Sequence, residues 1–93
     1  MSETRYFRVS GTVQGVGFRV ATQQTARRLS LAGWVRNRAD GDVELVAAGK
    51  PRALDELTDW LHAGPAAARV THVAVETGAP ASSPDLADPF AVI

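Results

Sequence analysis

The chain contains no cysteine, which removes disulfide frameworks, thiolate metal sites and cysteine nucleophiles together and fits a reducing compartment. It also lacks net charge: ten basic side chains balance ten acidic ones, so no overall field draws it to nucleic acid or to an anionic membrane. Any anion site must be built locally. No window approaches the roughly 18 apolar residues of a membrane span, and the start of the chain, Met1 to Arg8, has no long apolar stretch. A cytoplasmic protein is expected. Histidine is scarce, and His62 near a helix end and His72 on a strand show no ligand-like spacing to carboxylates. Both are left out of the site, and neither metal nor cofactor is expected. Aromatics are few, and the segment Val43 to Ala48 has none, which speaks against an RNA-binding sheet.

What is present fits one globular domain, residues 1–93, with 45% hydrophobic and 22% charged side chains, enough apolar content for a single pair of packed layers. From Thr4 to Gly11, Phe7 and Val9 alternate with Arg8 and Ser10, the period of a half-buried strand. Phe18, Thr22, Thr25 or Ala26, and Leu29 recur at helical spacing, and Arg27 and Arg28 suit the helix C-terminus. The Asp40-Gly41 pair turns Gly33 to Arg38 back onto Asp42 to Ala48 as a hairpin. Pro51 starts a second helix with Leu54, Leu57 and Leu61 inward, Asp55, Glu56 and Asp59 in water, and Gly64-Pro65 at its end. Val73 and Val75 mark a fourth strand, with Val70 out of phase at a bend. Thr77 to Pro89 reads as a loop, followed by a short edge strand at Phe90 to Ile93. The order β-α-β-β-α-β predicts an α+β ferredoxin-like sandwich, an antiparallel sheet with both helices on one face.

Function has to come from a site, because this fold serves enzymes, RNA binders and sensors alike. The run Gly11-Thr12-Val13-Gln14-Gly15-Val16-Gly17-Phe18-Arg19 lies between the first strand and the first helix. Glycines let successive N–H groups converge on an anion, the free N–H groups of a helix start add to them, and Arg19 supplies a permanent charge with a planar fork of donors. The residues alone leave a plainer role open, a tight corner with Arg19 on a solvated helix. Neither a Walker loop nor a dinucleotide fingerprint fits, the latter because Val20 stands where a small residue is needed. Asn37, at a strand end before an Asp-Gly turn, reads by itself as a turn former. Val35 and Asn37 share one strand face, which would project Asn37 at the core-side rim. Trp34, Arg36 and Arg38 share the other face, where Trp34 either stands open to a partner or covers the edge of the core.

Three blocks taken together closely resemble the acylphosphatase family: Gly11-x-Val13-Gln14-Gly15-Val16-Gly17-Phe18-Arg19, Gly33-Trp34-Val35-Arg36-Asn37, and Asp40-Gly41-x-Val43-Glu44. The likeness continues through Trp60-Leu61, Ala68-Arg69-Val70 and Phe90-x-Val92. Val20 and Ala21 depart from it, standing where the family often has aromatics, so looser helix packing is expected there. The resemblance implies a hydrolase that cleaves the carboxyl–phosphate bond of acyl phosphates. Gln14, Gly15, Val16, Gly17, Phe18 and Arg19 would form the phosphate loop; Arg19 and Asn37 would be catalytic, binding the phosphate and positioning water. It implies a monomer acting on a small acyl phosphate, without metal or cofactor. The other reading carried forward is a non-catalytic anion-binding or interaction module of the same fold.

The chemistry asks little of the protein. The leaving group is a carboxylate, stable as an anion at neutral pH, so no strong general acid is required. Phosphoryl transfer through a loose transition state depends mainly on positioning and charge stabilisation. The amide of Asn37 does not titrate and cannot be a base, but it can accept one proton of a water in a hydrogen bond.

Overall fold

A computed structural model describes residues 2–93; Met1 lies outside the described residues. The period-2 segments form β1 (Glu3–Thr12), β2 (Ala32–Asn37), β3 (Val43–Gly49) and β4 (Arg69–Thr77). The helical stripes form α1 (Phe18–Arg28) and α2 (Pro51–Ala63), and a two-residue strand, β5, follows at Ala91–Val92. The strands lie in the order β4-β1-β3-β2-β5, and the first four reproduce the expected ferredoxin-like arrangement.

Both helices cover the same face. Phe7 and Val9 of β1, Val35 of β2 and Val43, Leu45 and Ala47 of β3 join Phe18 and Ala26 of α1 and Leu54, Leu57 and Leu61 of α2 in one buried cluster. Each leucine so buried is worth about 1.5–3 kcal/mol relative to exposure, which fixes α2 by its stripe rather than by its caps. α1 is less apolar; Thr22 and Thr25 turn inward and satisfy their hydroxyls on the carbonyls of Phe18 (2.8 Å) and Ala21 (2.9 Å). Val20 is 53% exposed, so the departure from the family pattern at that position falls on the surface and leaves the core contact of α1 untouched. The β1–β4 pairing shifts register between Ser10 and Gly11, and this bulge accounts for Val70 being out of phase.

One expectation needs correction. The sheet is mixed, not wholly antiparallel, because β5 runs parallel to β2, pairing Trp34 with Ala91 and Val35 with Val92. The long loop after β4 carries the chain back to the start of β2, where only a parallel approach remains. The same loop settles Trp34, which is 1% exposed and therefore offers nothing to a partner. It lies on the sheet face away from the helices, with Nε1 donating to the Pro84 carbonyl at 3.2 Å and the Arg36 guanidinium 4.7 Å from the ring centroid. Among the described residues no helix is long and apolar enough to cross a membrane.

Candidate active site

The loop from β1 to α1 is held by apolar anchors. Val13 and Phe18 are buried and Val16 packs partly against the core, while Gly15 and Gly17 between them lie at the surface. Phe18 fixes the start of α1 by packing on Trp60 of α2, with ring centroids 5.7 Å apart and planes at 47°. The glycines carry the turn. Gly15 has φ +76° and Gly17 +78°, left-handed values that other residues adopt only with strain, whereas Val16 between them stays at negative φ. Such alternation turns successive N–H groups toward a common point. A side chain at either glycine would meet nothing within 4 Å, so space is not what requires glycine there; backbone conformation is.

These amides have nothing to bond. Among the described residues, the N–H groups of Gly15 to Val20 donate to no backbone carbonyl, and the first such bond is Ala21 N–H to Gly17 O at 3.1 Å. Gly17, at the N-cap, offers no side-chain cap, and the first turn of α1 holds no acidic residue. The positive end of the helix is thus left for an external anion. Arg19 stands in that first turn, half-buried. The other half-buried arginines, Arg5, Arg8, Arg36 and Arg38, all pair with carboxylates. Arg19 has no ion pair among the described residues, and an unpaired guanidinium offers a planar fork of donors suited to an anion.

Asn37 ends β2 and is exposed. Its register partner is Val43 of β3, itself opposite Val9 of β1 and through it Val73 of β4, so Asn37 shares the helix-side face with core residues, at the end of the sheet from which the loop departs. The rim expected from parity is therefore where it stands. The side chain of Asn37 makes no hydrogen bond to another described residue, leaving both amide atoms for water or ligand. Loop and turn are tied by Gln14, whose Nε2 donates to the carbonyls of Arg38 (2.8 Å) and Asp42 (2.9 Å). No sequence pattern announces this contact, because both acceptors are backbone atoms.

On the opposite face, Arg8 donates to Asp42 at 2.7 Å and to Asp40 at 2.5 Å, and Arg38 to Asp40 at 3.1 Å and to Glu44 at 3.2 Å. Glu44 also accepts from the Tyr6 hydroxyl at 3.3 Å. Burial, then the nearby Glu44 charge, pushes the Tyr6 phenol up. The ladder stiffens the hairpin that carries Asn37 without entering the helix-side rim. His62 and His72 are exposed, and among the described residues no three His, Cys, Asp or Glu side chains gather as metal donors.

A ferredoxin-like sandwich whose strand-to-helix loop, among the described residues, leaves its amides and one arginine without partners defines a class of small α+β proteins. The acylphosphatase family model matches residues 5–87. An acylphosphatase of Acidovorax sp. is 53% identical over 74 residues, spanning 80% of this chain and 76% of that protein. The solved acylphosphatase of Coxiella burnetii superposes with a TM-score of 0.85 at 40% identity, covering 99% of this chain and 93% of that one. The Bacillus subtilis acylphosphatase structure gives 0.84 at 35%, over 100% and 99%. The chain belongs to the acylphosphatase family.

Proposed function

We propose that the chain hydrolyses the carboxyl–phosphate bond of acyl phosphates by holding the phosphate in the loop Gln14 to Arg19 and the attacking water on Asn37. The observation that carries the reading is the half-buried Arg19 without an anionic partner, beside a run of unbonded amides at a helix start. The amides and Arg19 neutralise the charge that spreads over the equatorial oxygens in the transition state. The Asn37 amide oxygen accepts one hydrogen of the water and keeps its oxygen in line with phosphorus.

The water oxygen bonds to phosphorus as the bond from phosphorus to the acyl oxygen breaks. The electron pair leaves with the carboxylate, and the water proton passes to a phosphate oxygen. A dianionic acyl phosphate and water thus become a carboxylate and dihydrogen phosphate, with charge conserved. Because the substrate takes the proton, the enzyme needs no base of its own; a steep dependence of kcat on an enzyme group titrating near neutral pH would contradict this step.

The gripped part of the substrate is its phosphate, so a broad choice of acyl group follows. Benzoyl, acetyl and carbamoyl phosphates should all be cleaved by purified protein, and a chelator should leave the rate unchanged; loss of turnover on chelation refutes the metal-independent reading. The reading also takes the protein as cytoplasmic, in keeping with a chain that has no cysteine, and as a monomer, since every group assigned to the reaction comes from one chain.

A further inference from the structure

Gln14 opens the loop, yet the two protons of its amide are spent outside it. Arg38 O and Asp42 O, its acceptors at 2.8 and 2.9 Å, are the two ends of the hairpin turn, which closes by Arg38 N–H to Asp42 O at 2.8 Å. Carbonyl oxygens only accept, so the nitrogen of the Gln14 amide, not its oxygen, has to face them. Asn37 immediately precedes this turn.

We infer that Gln14 is a positioning residue for the hydrolysis: it braces the phosphate loop against the turn that carries Asn37 and so sets the distance between bound phosphorus and held water. The inference rests on the proposed role of Asn37. Through the sheet, loop and asparagine communicate only across two strand spacings, about 10 Å, and both the loop and the turn extend beyond Val9, Val43 and Asn37, the last row in which β1, β3 and β2 pair with one another. Gln14 bridges that unpaired region directly. In-line attack requires reacting atoms about 3–3.5 Å apart, and misplacement by about 1 Å costs on the order of a hundredfold in rate.

Gln14→Met keeps the length and removes the donors. With benzoyl phosphate, kcat should fall about tenfold or more, while inhibition by inorganic phosphate, which reports the loop alone, should weaken less than about threefold. In an Asn37→Ala background the same substitution should change kcat less than about twofold, since no positioned group remains to be misplaced. Equal losses in the two backgrounds, or weaker phosphate inhibition with kcat intact, overturn the inference. If Asn37→Ala turnover is too slow to subdivide, the split between kcat and phosphate inhibition decides. If Gln14→Met does not fold, hydrogen exchange of the wild-type Gln14 side-chain amide decides instead: slowed exchange supports the brace, and exchange at the rate of free glutamine refutes it. An Asn37→Ala protein with wild-type turnover sinks the reading of Asn37 itself, and that shows before Gln14 is altered.

Discussion

In the proposed reaction Arg19 and Asn37 carry different parts of the work, and their substitutions should separate in kinetics. Arg19 meets charge in both the bound substrate and the transition state, so Arg19→Ala should weaken phosphate inhibition and lower kcat together. A charge-assisted contact of about 1.5–3 kcal/mol implies roughly a ten- to hundredfold loss in kcat/KM. In the same proposal Asn37 touches only the water, so Asn37→Ala should lower kcat and leave KM nearly unchanged. Initial rates over a range of benzoyl phosphate check both, and full turnover in either variant removes that residue from the site. Their own patterns left both candidates open, a tight corner for Arg19 and a turn former for Asn37, and it is the family blocks taken together that single them out. The bonds of Gln14 were not legible. Its partners are main-chain carbonyls brought near by folding, and a carbonyl looks the same at every residue.

The hairpin β2–β3 is the element on which the proposed chemistry depends most. Its turn is held by Asp40, whose carboxylate accepts from the Asp42 N–H at 3.1 Å and from Arg38. The bond from Asp42 N–H, then the one from Arg38, hold that carboxyl below its ordinary value of 3.8. A lowered value means that ionised Asp40 favours the folded turn above pH 3.8 and that this contribution disappears as pH falls through the folded value. Wild-type protein should therefore melt at a higher temperature than Asp40→Asn near pH 6, and the gap should close as the solution is taken below pH 4. The gap should be small, since Asp40 is exposed to solvent; a gap constant across that range refutes the assignment. The hairpin, both helices and β4 could be read from local patterns of four or more residues. β5 could be read only as an edge segment, since a two-residue strand has no period and its parallel pairing with β2 joins positions more than fifty residues apart.

Over the whole molecule, the short closing segment does more than its length suggests. Phe90 is fully buried in the common core, its carbonyl accepts from Arg27 of α1 at 2.8 Å, and the loop before it shields Trp34. Phe90→Ala should cost about 3–5 kcal/mol, a large share of what a small domain has, and urea denaturation followed by tryptophan fluorescence should show the midpoint falling accordingly. A shift under about 1 kcal/mol would mean that the core closes without this segment. The pleat of β2 has another consequence. Asn37 points to the helix side, and its neighbours Arg36 and Arg38 point to the other, so the ion pairs and the proposed water-holding group occupy opposite surfaces of one strand. Gln14 holds only main-chain atoms of Arg38 and Asp42, while their side chains belong to the ionic ladder on the other face. A lineage adapting to a hotter or saltier habitat would thus meet the ionic groups of this strand on one surface and the proposed water-holding group on the other, with the turn between them as the place where the two demands meet.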